Sequence, residues 1–173
     1  MRLCTPRDKS LSLREVVLFG MLGALTFGAK VAMMNLPNIE PVSLMVMLFA
    51  VVFGLKGLYP TYLYVLMEVL FYGISMWNLN YLYVWAILFF CALALRKWKH
   101  PFLWALLSAA FGILFGLFCA PVYISMGGVA FALSWWLSGI PFDVTHCIGN
   151  FCIALVLFVP MRSLLERLYQ KMQ

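Results

Sequence analysis

The chain has 173 residues, of which 65% are apolar and only 10% are charged. Soluble domains run at roughly 45–50% apolar and about 25% charged, so a water-surrounded globule is excluded and a bilayer-embedded one is expected. The formal net charge of +6 does not point to nucleic acid, because the basic residues are dispersed and match what an anionic membrane face attracts.

Six apolar runs follow one another, at about 15–34, 42–56, 59–77, 81–96, 101–122 and 142–162. All but one of the twelve Lys and Arg fall in the gaps on one side of these runs. Arg2, Arg7, Lys9 and Arg14 precede the first run, and Lys56 follows the second. Arg96, Lys97 and Lys99 follow the fourth, and Arg162, Arg167 and Lys171 follow the last. Basic flanks stay cytoplasmic, so both termini are expected inside. The expected fold is an all-α integral membrane bundle of six transmembrane helices, forming a single transmembrane domain over 1–173. The first run lacks a clear cleavage site and reads as an uncleaved span.

The second and fourth runs are short for a crossing, which takes roughly 20 residues. Between Pro121 and Pro141 the chain is too apolar for a solvated loop and is interrupted by Gly127-Gly128. A short extra helix at about 129–138, lying over the outer face or re-entering the bundle, is expected there. The five cysteines show no CxxC pairing, and those in apolar runs read as small buried hydrophobes; no metal is expected.

Two runs carry small residues at every fourth position: Gly20, Ala24, Gly28 and Ala32 in the first, and Ser108, Gly112, Gly116 and Ala120 in the fifth. Such a ladder lies on one helix face and lets another backbone approach closely, either inside the bundle or on a separate membrane subunit.

Few charged or readily charged groups lie away from the basic flanks: Lys30, Glu40, Glu68, Asp143 and His146. Lys30 sits about 7 Å below the outer end of its run, where snorkelling to headgroups competes with a role inside. Glu68 is mid-span, in a polar stripe with Thr61, Tyr64, Tyr72 and Ser75, where an ionised carboxylate facing lipid costs roughly 2.5–3.5 kcal/mol. It forms either a structural interhelix hydrogen bond or a cavity wall. Asp143, His146 and Asn150 share a face of the last run; a first-turn Asp143 is favoured by the helix dipole alone, leaving His146 and Asn150 as better ligand contacts. The outer segments add Asn38 beside Glu40, Trp77 with Asn78 and Asn80, and Tyr123 with Trp136. Belt aromatics explain single positions, whereas aromatics joined to amides and acids suit a small-molecule pocket.

With these residues in view, the chain resembles the substrate-binding S components of energy-coupling factor (ECF) vitamin transporters. The first-helix segment GMLGALTFGAKVA is similar to that family's AxxxA-type docking motif, with Gly at two of the positions. NIEPVSLMVMLFAVVFGLKG and IPFDVTHCIGNF resemble its second and sixth helices. The resemblance implies a passive subunit that captures a vitamin or precursor outside. It then works with a membrane T component and two cytoplasmic ATPases, Gly20, Ala24, Gly28 and Ala32 serving as the docking face. The chain has no GxxxxGK[ST] phosphate loop, so ATP hydrolysis falls to the partners. No cofactor, catalytic residue or nucleic-acid partner is expected. Two other readings stand beside this one. A stand-alone secondary transporter or channel has six spans to work with but shows no inverted repeat. An intramembrane enzyme finds an HxxxN match at His146–Asn150 but lacks the accompanying EExxxR, HExxH or GxSG elements.

Overall fold

A computed structural model describes residues 11–36 and 38–172. Arg2, Cys4, Arg7 and Lys9 lie outside the described residues. Those residues form five α-helices and no strand: α1 Leu13–Ala32, α2 Val42–Phe53, α3 Leu58–Tyr72, α4 Met76–Ala94 and α5 Pro101–Gln170. Four stretches are long and apolar enough to cross a membrane, with α2 and α3 counted as one through the 3-10 turn Gly54–Gly57. These findings make the chain a helical membrane protein, with four such stretches rather than six separate ones.

The boundaries differ from expectation for local reasons. Helix α1 starts at Leu13 because Ser12 and Glu15 form a reciprocal capping box, satisfying two donors that otherwise lack partners. At the head of α4 the Asn78 side chain accepts from the Ser75 amide, and the helix begins five residues before the expected 81. Helix α2 stops at Phe53 where Gly54 takes φ 59°, and α3 stops at Tyr72 before Gly73 at φ 79°, both in the left-handed region that glycine enters without a Cβ clash.

The largest correction concerns α5. No separate short helix stands at 129–138, because helical structure runs through Pro121, Pro141 and Pro160. Each proline removes one backbone donor, which a packed apolar helix tolerates. The break falls where the sequence is interrupted, at Gly127 and at Gly128, whose φ of 76° with ψ of −176° suits glycine alone. There the chain reverses, so the two arms, 101–126 and 129–170, lie antiparallel: the Gly116 amide bonds Asp143 and the Ser108 carbonyl accepts from Asn150.

Helix α1 runs parallel to α3. Phe19 meets Tyr59 near one end, and Phe27 meets Phe71 near the other. Helix α2 threads between them and the rest, with every residue from Val42 to Ala50 buried. Its end packs with Phe19 and Tyr169 through Phe53. At that end Glu15 accepts from Lys56 at 2.8 Å and from Tyr169 at 2.7 Å, joining the start of α1, the 3-10 turn and the close of α5. The start of α1 and the end of α5 therefore share one end of the bundle.

The two small-residue ladders have opposite surroundings. On α1 the buried face is Glu15, Phe19, Leu22, Gly23, Thr26 and Phe27. Ala24, Gly28 and Ala32 are exposed, and a Cβ on Gly20 or Gly28 would meet nothing within 4 Å. On α5 Ser108, Gly112, Gly116 and Ala120 are buried, and a Cβ on Gly112 would stand 2.8 Å from the Cys147 nitrogen. Gly112→Ala should therefore destabilise by about 1–3 kcal/mol, since backbone cannot yield as a side chain can. Gly28→Ala should be neutral or stabilising by up to about 1 kcal/mol. Thermal unfolding of the two variants in detergent checks the contrast; equal losses would mean the α1 ladder is packed as well.

Candidate functional site

The end of the bundle opposite the Glu15–Lys56–Tyr169 cluster holds a cavity of about 420 Å³. That lies within the roughly 300–1,000 Å³ typical of small-molecule sites. Its walls come from the end of α1, the segment 33–41, α3, α4 and both arms of α5.

Lys30 belongs to the last turn of α1, where the helix dipole favours a cation. Its side chain turns inward rather than snorkelling outward. The ammonium donates to Glu68 Oε2 at 2.7 Å and to Tyr81 OH at 3.3 Å. It also sits 5.1 Å from the centroid of the Tyr81 ring and 5.8 Å from that of Tyr72, within cation–π range. The two readings of Glu68 thus merge, since the carboxylate bridges α3 to α1 and also lines the cavity. Only 3% exposed, Glu68 leaves Oε1 buried without a hydrogen bond.

Glu40, just before α2, lines the same space and makes no hydrogen bond or ion pair among the described residues. Burial pushes its carboxyl up from the ordinary 4.5 to about 7; the Lys30 charge opposes that rise and the Glu68 charge adds to it. His146, on the second arm of α5, is 3% exposed with Nε2 unpartnered, and its ring stands edge-on to Phe115 at 4.9 Å. Asn38, Tyr72, Trp77 and Asn78 complete the expected residues found in the wall. Asn78 is partly committed, because its Oδ1 accepts from the Ser75 amide and hydroxyl at the head of α4.

The remaining expected residues lie elsewhere. Asn150 donates to Ser43 Oγ at 3.1 Å and the Ser108 carbonyl at 3.3 Å, tying α2 to both arms of α5. Asp143 accepts from the Gly116 amide at 3.0 Å. It is not in a first helical turn, because its helix already runs from 129, so the dipole argument does not apply to it. Asn80 is buried beneath the surface of α4 and accepts from Tyr83 OH. Tyr123 stacks on Trp135 at 3.9 Å near the hairpin tip, and Trp136 is outside the wall beside it. Trp135 in turn meets Trp77 at 6.0 Å, so the tip reaches the rim of the cavity.

Sequence reasoning left out Tyr81 and Phe115 as site residues, together with Met33, Met34, Leu36, Ile39 and Ser75. Tyr81 was detectable, because it follows Trp77 by one helical turn and so shares its face. Phe115 carried no signal within a run rich in phenylalanine. The chain matches no family model, no curated protein and no solved structure.

Two measurements follow from the geometry. Lys30→Met strands a buried carboxylate and should cost about 3–5 kcal/mol, while Lys30→Met with Glu68→Gln should recover most of it. Chemical unfolding of the single and double variants reads this, and additive losses would contradict a coupled pair. For Glu40 the folded pKa exceeds the unfolded one, so the folded state holds the proton more tightly. Its contribution to stability is present below about pH 4.5 and lost as pH rises to about 7. Relative to the parent, Glu40→Gln should gain melting temperature at about pH 8 and not at about pH 5.

Proposed function

We propose that the chain is the substrate-capturing S component of an ECF-type importer in a bacterial plasma membrane. Under this proposal the antiparallel arms of α5 and the α2–α3 pair each count as two crossings, making six, with both termini cytoplasmic. The cavity then opens on the outer side, and the Glu15–Lys56–Tyr169 cluster lies on the inner side.

The observation that carries the reading is the face of α1 that carries Gly20, Ala24, Gly28 and Ala32, the last three exposed, where a Cβ on Gly20 or Gly28 would meet nothing within 4 Å among the described residues. Small residues on a membrane helix impose a cost in lost packing area unless another helix comes close. A T component supplies that helix, and the two ATPases bound to it supply the energy that this subunit lacks a motif to harvest. The ligand is a vitamin or precursor held by the cavity around Lys30, Glu68 and His146.

The stand-alone transporter reading draws on the same Lys30–Glu68 pair, since a buried ion pair suits charge-coupled movement. One experiment separates the two. Ala24→Leu and Gly28→Leu should leave the melting temperature of the isolated subunit unchanged and abolish both co-purification with a T component and uptake in cells. Uptake that persists in cells lacking the ATPases and the T component would overturn the capture-subunit reading in favour of the stand-alone one.

A further inference from the structure

The cavity's charged and polar groups are unequally committed. Its one ammonium, Lys30, is engaged by Glu68 Oε2 and Tyr81 OH. The carboxyl of Glu40, Glu68 Oε1 and the imidazole Nε2 of His146 make no hydrogen bond among the described residues, while the neutral donors of Asn38, Trp77 and Asn78 also line the space. The lining contains two carboxylates and one ammonium and no other charged side chain. A ligand carboxylate or phosphate would find only the third Lys30 N–H open and would lie beside the carboxyl groups of Glu40 and Glu68. A ligand bringing N–H donors and positive charge meets the open acceptors and leaves the existing pair intact. A buried carboxylate oxygen left without a partner is costly, so the open carboxyl positions favour a ligand that donates to them. The surrounding rings of Tyr72, Tyr81, Trp77 and Phe115 offer faces to a flat, electron-poor group.

We propose that this cavity selects a flat aromatic ligand carrying a cationic nitrogen group, held by Glu40 and Glu68 Oε1 against the aromatic wall. The inference rests on the capture reading above and adds the charge and shape of what is captured.

Isothermal titration of the purified full-length protein in detergent tests it with three single-ring probes of matched shape: benzamidinium, neutral benzamide and benzoate. Benzamidinium should bind at least about tenfold more tightly than benzoate, with benzamide between them. Glu40→Gln should weaken benzamidinium about tenfold and benzamide by less, with an unchanged circular-dichroism spectrum showing that the variant is folded. Benzoate binding as well as or better than benzamidinium would overturn the charge assignment while leaving a ligand-capturing cavity in place. Unaltered benzamidinium binding by Glu40→Gln would likewise remove Glu40 from the site and overturn the proposal. Binding of none of the three would instead count against the capture reading itself, and the inference would fall with it.

Discussion

The contact on which the cavity end of the bundle depends is the 2.7 Å bridge from Lys30 to Glu68. Each charge alone would be expensive in an apolar bundle, and each makes the other tolerable. The bridge joins the last turn of α1 to the interior of α3 and so holds the two parallel helices at a set distance near the cavity. Tyr81 adds a third point of attachment from α4. A cavity persists beside these groups because the pair occupies the polar edge without filling the space between the surrounding helices. The pair also settles the character of that space. Its one cation is already paired, and the charged positions left beside it are carboxyl groups.

Identical sequence patterns acquired different work from their neighbours. The ladder on α5 lets two arms of one hairpin come close enough for an amide of Gly116 to reach Asp143 and for Asn150 to reach the Ser108 carbonyl. The ladder on α1 has the same spacing and faces away from the bundle. Its neighbours Gly23 and Phe27 turn inward, with Gly23 close against Leu63. A quarter turn of one helix decides whether a set of small residues is internal packing or an unpartnered surface. Helical phase relative to the remaining bundle fixes that turn, and no local rule contains it.

Glycine kept its expected role as the breaker, and proline did not act as one. Prolines at 121 and 141 bracket the segment that looked separate, yet the helix continues through both, and the reversal occurs at Gly127-Gly128. A proline costs a hydrogen bond and some straightness, which packing can offset. A residue at φ 76° and ψ −176° lies where only glycine is at ease, so the backbone turns where that freedom exists. The consequence reaches the site, because the hairpin tip is an extension of two helices and brings Trp135 against Trp77.

Much was decided by composition and spacing alone. An excess of apolar residues with few charges dictates a helical membrane protein, since only paired backbone is tolerable in lipid. Rare polar groups in apolar runs need partners, which marks Glu68 and His146 as interior residues and leaves Lys30 open between the headgroups and the interior. The same scarcity could not say which partner each would take. Asn150 and His146 share a helix face one turn apart, yet Asn150 is consumed in bonding Ser43 and Ser108 while His146 lines the cavity. Asp143 has the composition of a ligand contact and the position of a tie between helical arms. Phe115 is one phenylalanine among 15 and becomes a wall residue solely by where its arm crosses α4. Residue type limits what a side chain can do, and long-range packing between distant parts of the chain selects among those options.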